Sequence, residues 1–320
     1  MELKKRPVII DCDPGEDDAV CLFMMFADEQ FDILGITPVC GNKPLDFCTT
    51  NALRLCELTG YTDIPVLKGA PKAIFREART AGDIHGATGL GNVVLPDPVK
   101  TVEDEYAWDF IYRQAVAHKG ELEILAVGPL TNLATALLKY PDLKDYVKQI
   151  VIMGGASGMG NMTPTAEFNI WADPEGAKVV FKSGIPMVMM GLEICYDAYV
   201  SPEDLKRIRG DKGGRVAGVA ADLISKRVDH ATANGMPGGV LCDAVSAAYM
   251  IDPSVIECEH VHVDVEVSGM LTEGKTVVTR SFTENAKREP NTYLGCGIDQ
   301  PRFIDLIVAA VEKIDAELAQ

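Results

Sequence analysis

The chain has 320 residues, 47% of them hydrophobic, enough to bury a substantial α/β core. Its formal charge of −17 argues against nucleic-acid polymers and anionic membranes as partners. The nine cysteines (12, 21, 40, 48, 56, 195, 242, 258 and 296) form no Cys-x-x-Cys pair and several lie in apolar runs, so reduced core thiols are expected.

In chain order, residues 7–10 read as a short buried strand, broken by Pro14-Gly15, and residues 19–26 as a buried helix. Residues 31–41 give a second strand ending at Gly41-Asn42, and residues 44–60 a helix stopped by Gly60. A helix over 107–118, a strand over 122–127 closed by Gly128-Pro129, and a helix from Thr131-Asn132 through Leu138 follow. Residues 150–153 form another strand, Asp173-Pro174-Glu175 opens a helix through Phe181 with proline in its first turn, and residues 186–190 return as a strand. The later part is less regular: helices over 216–227 and 243–250, an exposed strand over 262–267 pairing with 275–281, and a closing amphipathic helix over 303–318. This alternation implies an α/β fold with an open, mainly parallel sheet and helices on both faces, plus a small antiparallel C-terminal element. No repeat, linker or low-complexity run interrupts it, so a single domain over 1–320 is expected. No uncharged stretch is long enough to span a membrane, and the charged residues before the first short apolar run do not make a signal peptide. The expected location is cytoplasmic.

The chemistry concentrates at the first strand-to-helix turn. Asp11, Asp13, Glu16, Asp17 and Asp18 put five acids where open α/β sheets bind ligands, and nothing basic lies between Asp11 and Asp18. Helix-dipole stabilisation explains Glu16 and can extend to Asp17, but not the acids on the strand side. An all-oxygen cluster favours a hard cation such as Ca²⁺ or Mg²⁺, and the spacing is not that of an EF-hand.

Three later stretches add polar groups. The Gly-rich run 82–92 carries His85 and lacks the Gly-Lys-Ser/Thr ending of a P-loop, so it reads either as a lid or as a plain surface loop. Residues 158–169 bring Asn161, Glu167 and Asn169 to the same sheet edge, a set suited to hydroxyls rather than phosphate. Asp243, just before an apolar helix, reads on its own as an N-cap. His118, His260 and His262 have no partner at metal-ligand spacing and read as structural; Trp108 and Trp171 read as core or interface residues.

Taken together, Asp11-Cys12-Asp13-Pro14-Gly15-Glu16-Asp17-Asp18-Ala19, Val39-Cys40-Gly41-Asn42, Ile84-His85-Gly86, Ala126-Val127-Gly128-Pro129-Leu130-Thr131-Asn132, Met153-Gly154-Gly155, Asn161, Ala166-Glu167-Phe168-Asn169-Ile170 and Cys242-Asp243 resemble the nucleoside hydrolase family in content and order. The resemblance implies hydrolysis of the N-glycosidic bond of a ribonucleoside to free base and ribose, with one Ca²⁺ held by Asp13, Asp18, the Val127 carbonyl and Asp243. It further implies Asp13 as general base, Asp17 and Asn42 on the 2′-hydroxyl, Asn169 on the 3′ side, Asn161 and Glu167 on the 5′-hydroxyl, and Met153 lining the sugar pocket. A homodimer or homotetramer is expected.

One residue departs from the pattern. Where the family often has a histidine before the last metal-binding aspartate, this chain has Cys242, as in a separate branch of the family. A thiol is a poorer proton donor, so His85 or His230 could serve the leaving base instead, or Cys242 could simply pack. Base preference leans to broad or purine-tolerant. Two other readings stay open here: a phosphatase of the haloacid-dehalogenase type, whose Asp-x-Asp strand end is shared, and a non-catalytic module that binds calcium or ribonucleoside.

Overall fold

The computed structural model describes residues 4–82, 86–211, 213–280 and 287–320. Strand β1 (Arg6–Cys12) leads into helix α1 (Glu16–Ala27), then β2 (Phe31–Pro38), α2 (Leu45–Thr59), α3 (Ala107–His118) and β3 (Leu122–Ala126). Next come α4 (Thr131–Lys139), β4 (Val147–Met153), the short α5 (Phe168–Ala172), α6 (Pro174–Phe181) and β5 (Met187–Met190). The second half holds α7 (Leu192–Asp197), β6 (Tyr199–Val200), α8 (Pro202–Arg209), α9 (Arg215–Ala233), β7 (Gly239–Val240) and α10 (Cys242–Ile251). Strands β8 (Ile256–Val265), β9 (Thr276–Thr279) and β10 (Thr292–Ile298) and the last helix, α11 (Gln300–Leu318), complete it.

Among the described residues, eight strands form one sheet in the order β2-β1-β3-β4-β5-β10-β8-β9, with β6 and β7 as a separate antiparallel pair. The run from β2 to β10 is parallel; β8 and β9 close the edge antiparallel, with Val263 opposite Val278. The expected mainly parallel sheet and antiparallel C-terminal element are thus both present. Alternation along the strands divides two cores: Val8, Ile10 and Val151 face one cluster, Ile9, Ile150 and Ile152 the other. All of α1 is buried, as an apolar helix must be when α9, α10 and α11 all pack against it.

The sequence reading omitted two elements of note. Strand β10 sits between β5 and β8, but its Thr-Tyr-Leu-Gly-Cys-Gly-Ile carries two glycines and no clean alternation. Gly295 is needed there because a Cβ would press within 2.8 Å of the Met190 sulfur. Helix α8 is charged at five of its eight positions; it is started by a Ser201/Asp204 capping box and touches the core only through Leu205 and Ile208. Among the described residues, no helix is long and apolar enough to cross a membrane.

Candidate active site

The C-terminal ends of the parallel strands gather the acids. Asp18, in the first turn of α1, folds the turn back on itself: Oδ1 accepts the Asp13 N–H (3.1 Å), and Oδ2 accepts the Gly15 N–H (2.9 Å) and Asn42 Nδ2 (3.0 Å). Asn42 also gives its backbone N–H to Asp13 Oδ2 at 2.6 Å and its side-chain amide to the Asp13 carbonyl at 3.1 Å. Asp13 Oδ1, by contrast, is buried with no hydrogen-bond partner among the described residues. Its cradle exists because positions 41 and 128 are glycine: a Cβ at 128 would stand 2.7 Å from Oδ1, and one at 41 would collide with Oδ2.

Asp243 arrives from α10 and shares a hydrogen bond with Asp18. It is not the N-cap of that helix, a position taken by Leu241. Asp17, Asp18 and Asp243 each offer a carboxylate oxygen within 4.8 Å of the others, and all three are buried. Burial, reinforced by the Asp17 charge, pushes Asp18 up to about 7. Burial and then neighbouring acids push Asp13 and Asp243 well above the carboxylate range. Three carboxylates in mutual reach beside an orphaned carboxylate oxygen, with no nitrogen or sulfur ligand among them, fit a hard divalent cation. Asp11, one step back in β1, serves the scaffold instead: its Oδ2 accepts from Thr37 Oγ1 (2.6 Å) and Asn132 Nδ2 (2.9 Å).

Next to the acids lies a cavity of about 310 Å³, lined by Asp17, Asn42, Val127, Met153, Asn161, Glu167, Asn169, Cys242 and Asp243 among the expected residues. Asn169 is fixed by bonds from Nδ2 to the Val127 (2.8 Å) and Met153 (3.1 Å) carbonyls. Glu167 is the N-cap of α5, accepting from Asn169 and Ile170, and also takes the Gly155 N–H at 2.9 Å. Burial pushes it up to about 7 despite those bonds. Asn161 Oδ1 accepts the Phe168 N–H at 2.9 Å. Phe168, Leu192 and Tyr196 give the same cavity an apolar wall.

The candidate leaving-group residues fare differently. Cys242 is buried and lines the cavity, whereas His230 is exposed near the end of α9 and is absent from the lining. His85 lies outside the described residues. All nine cysteines are free thiols. His260, expected to be structural, stacks on Tyr293 at 4.3 Å.

Sequence reasoning missed Arg227. It lines the cavity, and Nε reaches Glu16 Oε2 (3.1 Å) while Nη2 reaches Asp17 Oδ1 (3.0 Å). The acidic turn therefore has a cationic partner after all, supplied from 210 residues away. A signal was present: Ala220, Leu223, Ile224 and Val228 are the buried face of α9, and position 227 falls on that face at helical spacing.

The family model described as "inosine-uridine preferring nucleoside hydrolase" matches residues 8–305. The chain is 39% identical over 310 residues to a pyrimidine-specific ribonucleoside hydrolase, RihA, of Shewanella woodyi, covering 96% of this chain and 98% of that protein. It is 36% identical to the pyrimidine-specific ribonucleoside hydrolase RihB of Escherichia coli, covering 97% and 98%. Among solved structures, a purine-preferring ribonucleoside hydrolase from Gardnerella vaginalis superposes with a TM-score of 0.89 at 29% identity, covering 97% of this chain and 99% of that one. The plant nucleoside hydrolase PpNRh1 gives 0.88 at 31% identity with the same coverage. The acidic strand end, the amide-rich cavity and these matches place the chain in the inosine-uridine preferring nucleoside hydrolase family, enzymes that hydrolyse N-glycosyl bonds.

Proposed function

We propose that this protein hydrolyses ribonucleosides, those of pyrimidines among them, to free base and ribose, with Ca²⁺ as its cofactor. The observation that carries the reading is the buried, unpartnered Asp13 Oδ1 in the same turn as Asp17 and Asp18, which form a carboxylate cluster with Asp243. Asp13, Asp18, the Val127 carbonyl and Asp243 would hold the ion. When bound, Ca²⁺ supplies positive charge that acidifies water and draws in vicinal hydroxyls.

The chain's own groups do the rest. Asn42 fixes one oxygen of Asp13, leaving Oδ1 to take the proton of the water that attacks C1′. Asp17 and Asn42 hold the 2′-hydroxyl, Asn169 the 3′ side, and Asn161 with Glu167 the 5′ end, while Met153 closes the sugar pocket. Dense carboxylates favour the oxocarbenium-like charge that develops on the sugar as the bond to the base breaks. The inclusion of pyrimidine ribonucleosides rests on the relatives at 36–39% identity, which are pyrimidine-specific ribonucleoside hydrolases. The phosphatase alternative is set aside, since the family model spans residues 8–305.

The test is a panel of ribonucleosides assayed for reducing sugar, with and without a calcium chelator. Base release that chelation stops and Ca²⁺ restores is expected. Ribonucleoside binding without release over long incubation would instead make the protein a binding module.

A further inference from the structure

We infer that Arg227 is a positioning residue that braces Asp17 and thereby sets how strongly the enzyme distinguishes ribose from 2-deoxyribose. This rests on the reading of the cavity as a ribonucleosidase site.

The argument starts from cost. Arg227 sits on the inward face of α9, where its neighbours at helical spacing are apolar and buried. A guanidinium placed there keeps only about a fifth of its side chain in water and is best tolerated when its donors are matched. Its fork spans two consecutive residues of the first turn of α1, Glu16 through Nε and Asp17 through Nη2. A planar fork locks such a pair in a way that a lysine point charge does not.

Asp17 is the acid for which this matters. It is buried, lines the cavity, and lies within 4.8 Å of Asp18 and Asp243. Arg227 pulls from the α9 side on Oδ1 and so fixes the direction in which the rest of the carboxylate meets the cavity. Asp13 and Asp18 are held by backbone N–H groups and by Asn42. The Asp17 carboxylate takes its bond from Arg227. The group assigned to the 2′-hydroxyl is therefore oriented by a helix that begins almost two hundred residues later.

The experiment compares wild type, Arg227→Gln and Arg227→Lys on uridine and 2′-deoxyuridine, with kcat and KM separated and thermal melts alongside. Where the deoxy rate is too slow to time, the inhibition constants of D-ribose and 2-deoxy-D-ribose against uridine give the same ratio. Arg227→Gln should lose about 10²-fold in kcat/KM on uridine, the scale of an ångström-level misplacement. It should lose far less on the deoxy sugar, so that discrimination narrows; Arg227→Lys should narrow it less. Equal losses on both sugars, or no loss, would overturn the brace. If Arg227→Gln does not fold, unchanged discrimination in folded Arg227→Lys overturns it equally. A wild type that releases no base from any ribonucleoside defeats the functional reading, whereas an active wild type with unaltered discrimination in the variants defeats only this inference.

Discussion

Two sets of buried carboxylates occupy opposite ends of the same strands, and the protein treats them in opposite ways. Glu123, near the start of β3, is fully buried yet paired: Arg6 donates to both of its oxygens (3.0 and 2.5 Å), and Lys148 and Gln149 add a bond each at 2.8 Å. Burial alone would raise its pKa, but those donors hold it below the usual range. Near the other end of the sheet, Asp13, Asp18 and Asp243 are just as buried and are pushed upward instead. The chain solves the buried-charge problem completely at Glu123. At the acid cluster it supplies one arginine, and that arginine is directed at Glu16 and Asp17 rather than at the three. Buried carboxylates left uncompensated in this way mark a candidate ligand site.

The contrast predicts different losses when an acid at each end becomes an amide. Asp13→Asn should lower kcat by about 10²–10⁴-fold, the range for removing a general base, in a protein that melts normally. Unchanged turnover would remove Asp13 from its role. Glu123→Gln should do the reverse, leaving kcat intact while costing about 1–3 kcal/mol in urea unfolding. The lower part of that range is expected because Arg6 and Lys148 are partly exposed and can rehydrate. A Glu123→Gln protein of unaltered stability would mean that the paired end is not stabilised by its pairing.

Much of this was legible in the sequence, and for identifiable reasons. Strands β1 to β5 read as short apolar runs bounded by Gly or Pro, so their existence and succession along the chain could be read directly. The site residues Asp13, Asp17, Asp18 and Asn42 sit within a turn of such boundaries and came with them. Strand β10 was hidden because its Gly295 makes room for Met190 and Ile194, a tertiary demand with no local pattern. Glu167 was read as one of a hydroxyl-binding set, and its capping of α5 emerges only once that one-and-a-half-turn helix is seen. Arg227 was lost because its partners lie on α1, which no spacing rule connects to α9. His230 looked close to the site through its position before a Gly-rich segment, but α9 extends to Ala233 and carries it out into solvent.

The smallest predicted effect is a difference in sign. Burial puts Asp11, Asp18 and Glu167 at about 7 in the folded chain, against roughly 4 for unfolded carboxyls. The metal-free folded state therefore binds more protons than the unfolded one over that interval. The stability these groups contribute is full below about pH 4 and is lost as pH rises through about 7. Glu123 has the opposite linkage, since its depressed pKa gives stability that is present at neutral pH and lost on acidification. Melting temperature in chelator should thus decline between pH 5 and 8, and saturating Ca²⁺ should flatten that decline by taking the place of the protons. Asp243→Asn should raise the chelated unfolding free energy at pH 8 by about 1 kcal/mol, read as a higher melting temperature, because one member of the repelling set is gone. The same substitution should also cancel most of the Ca²⁺-dependent gain. A chelated protein that grows steadily more stable from pH 5 to 8 would show that the acids of the cluster carry no such strain, and the contrast with Glu123 would disappear.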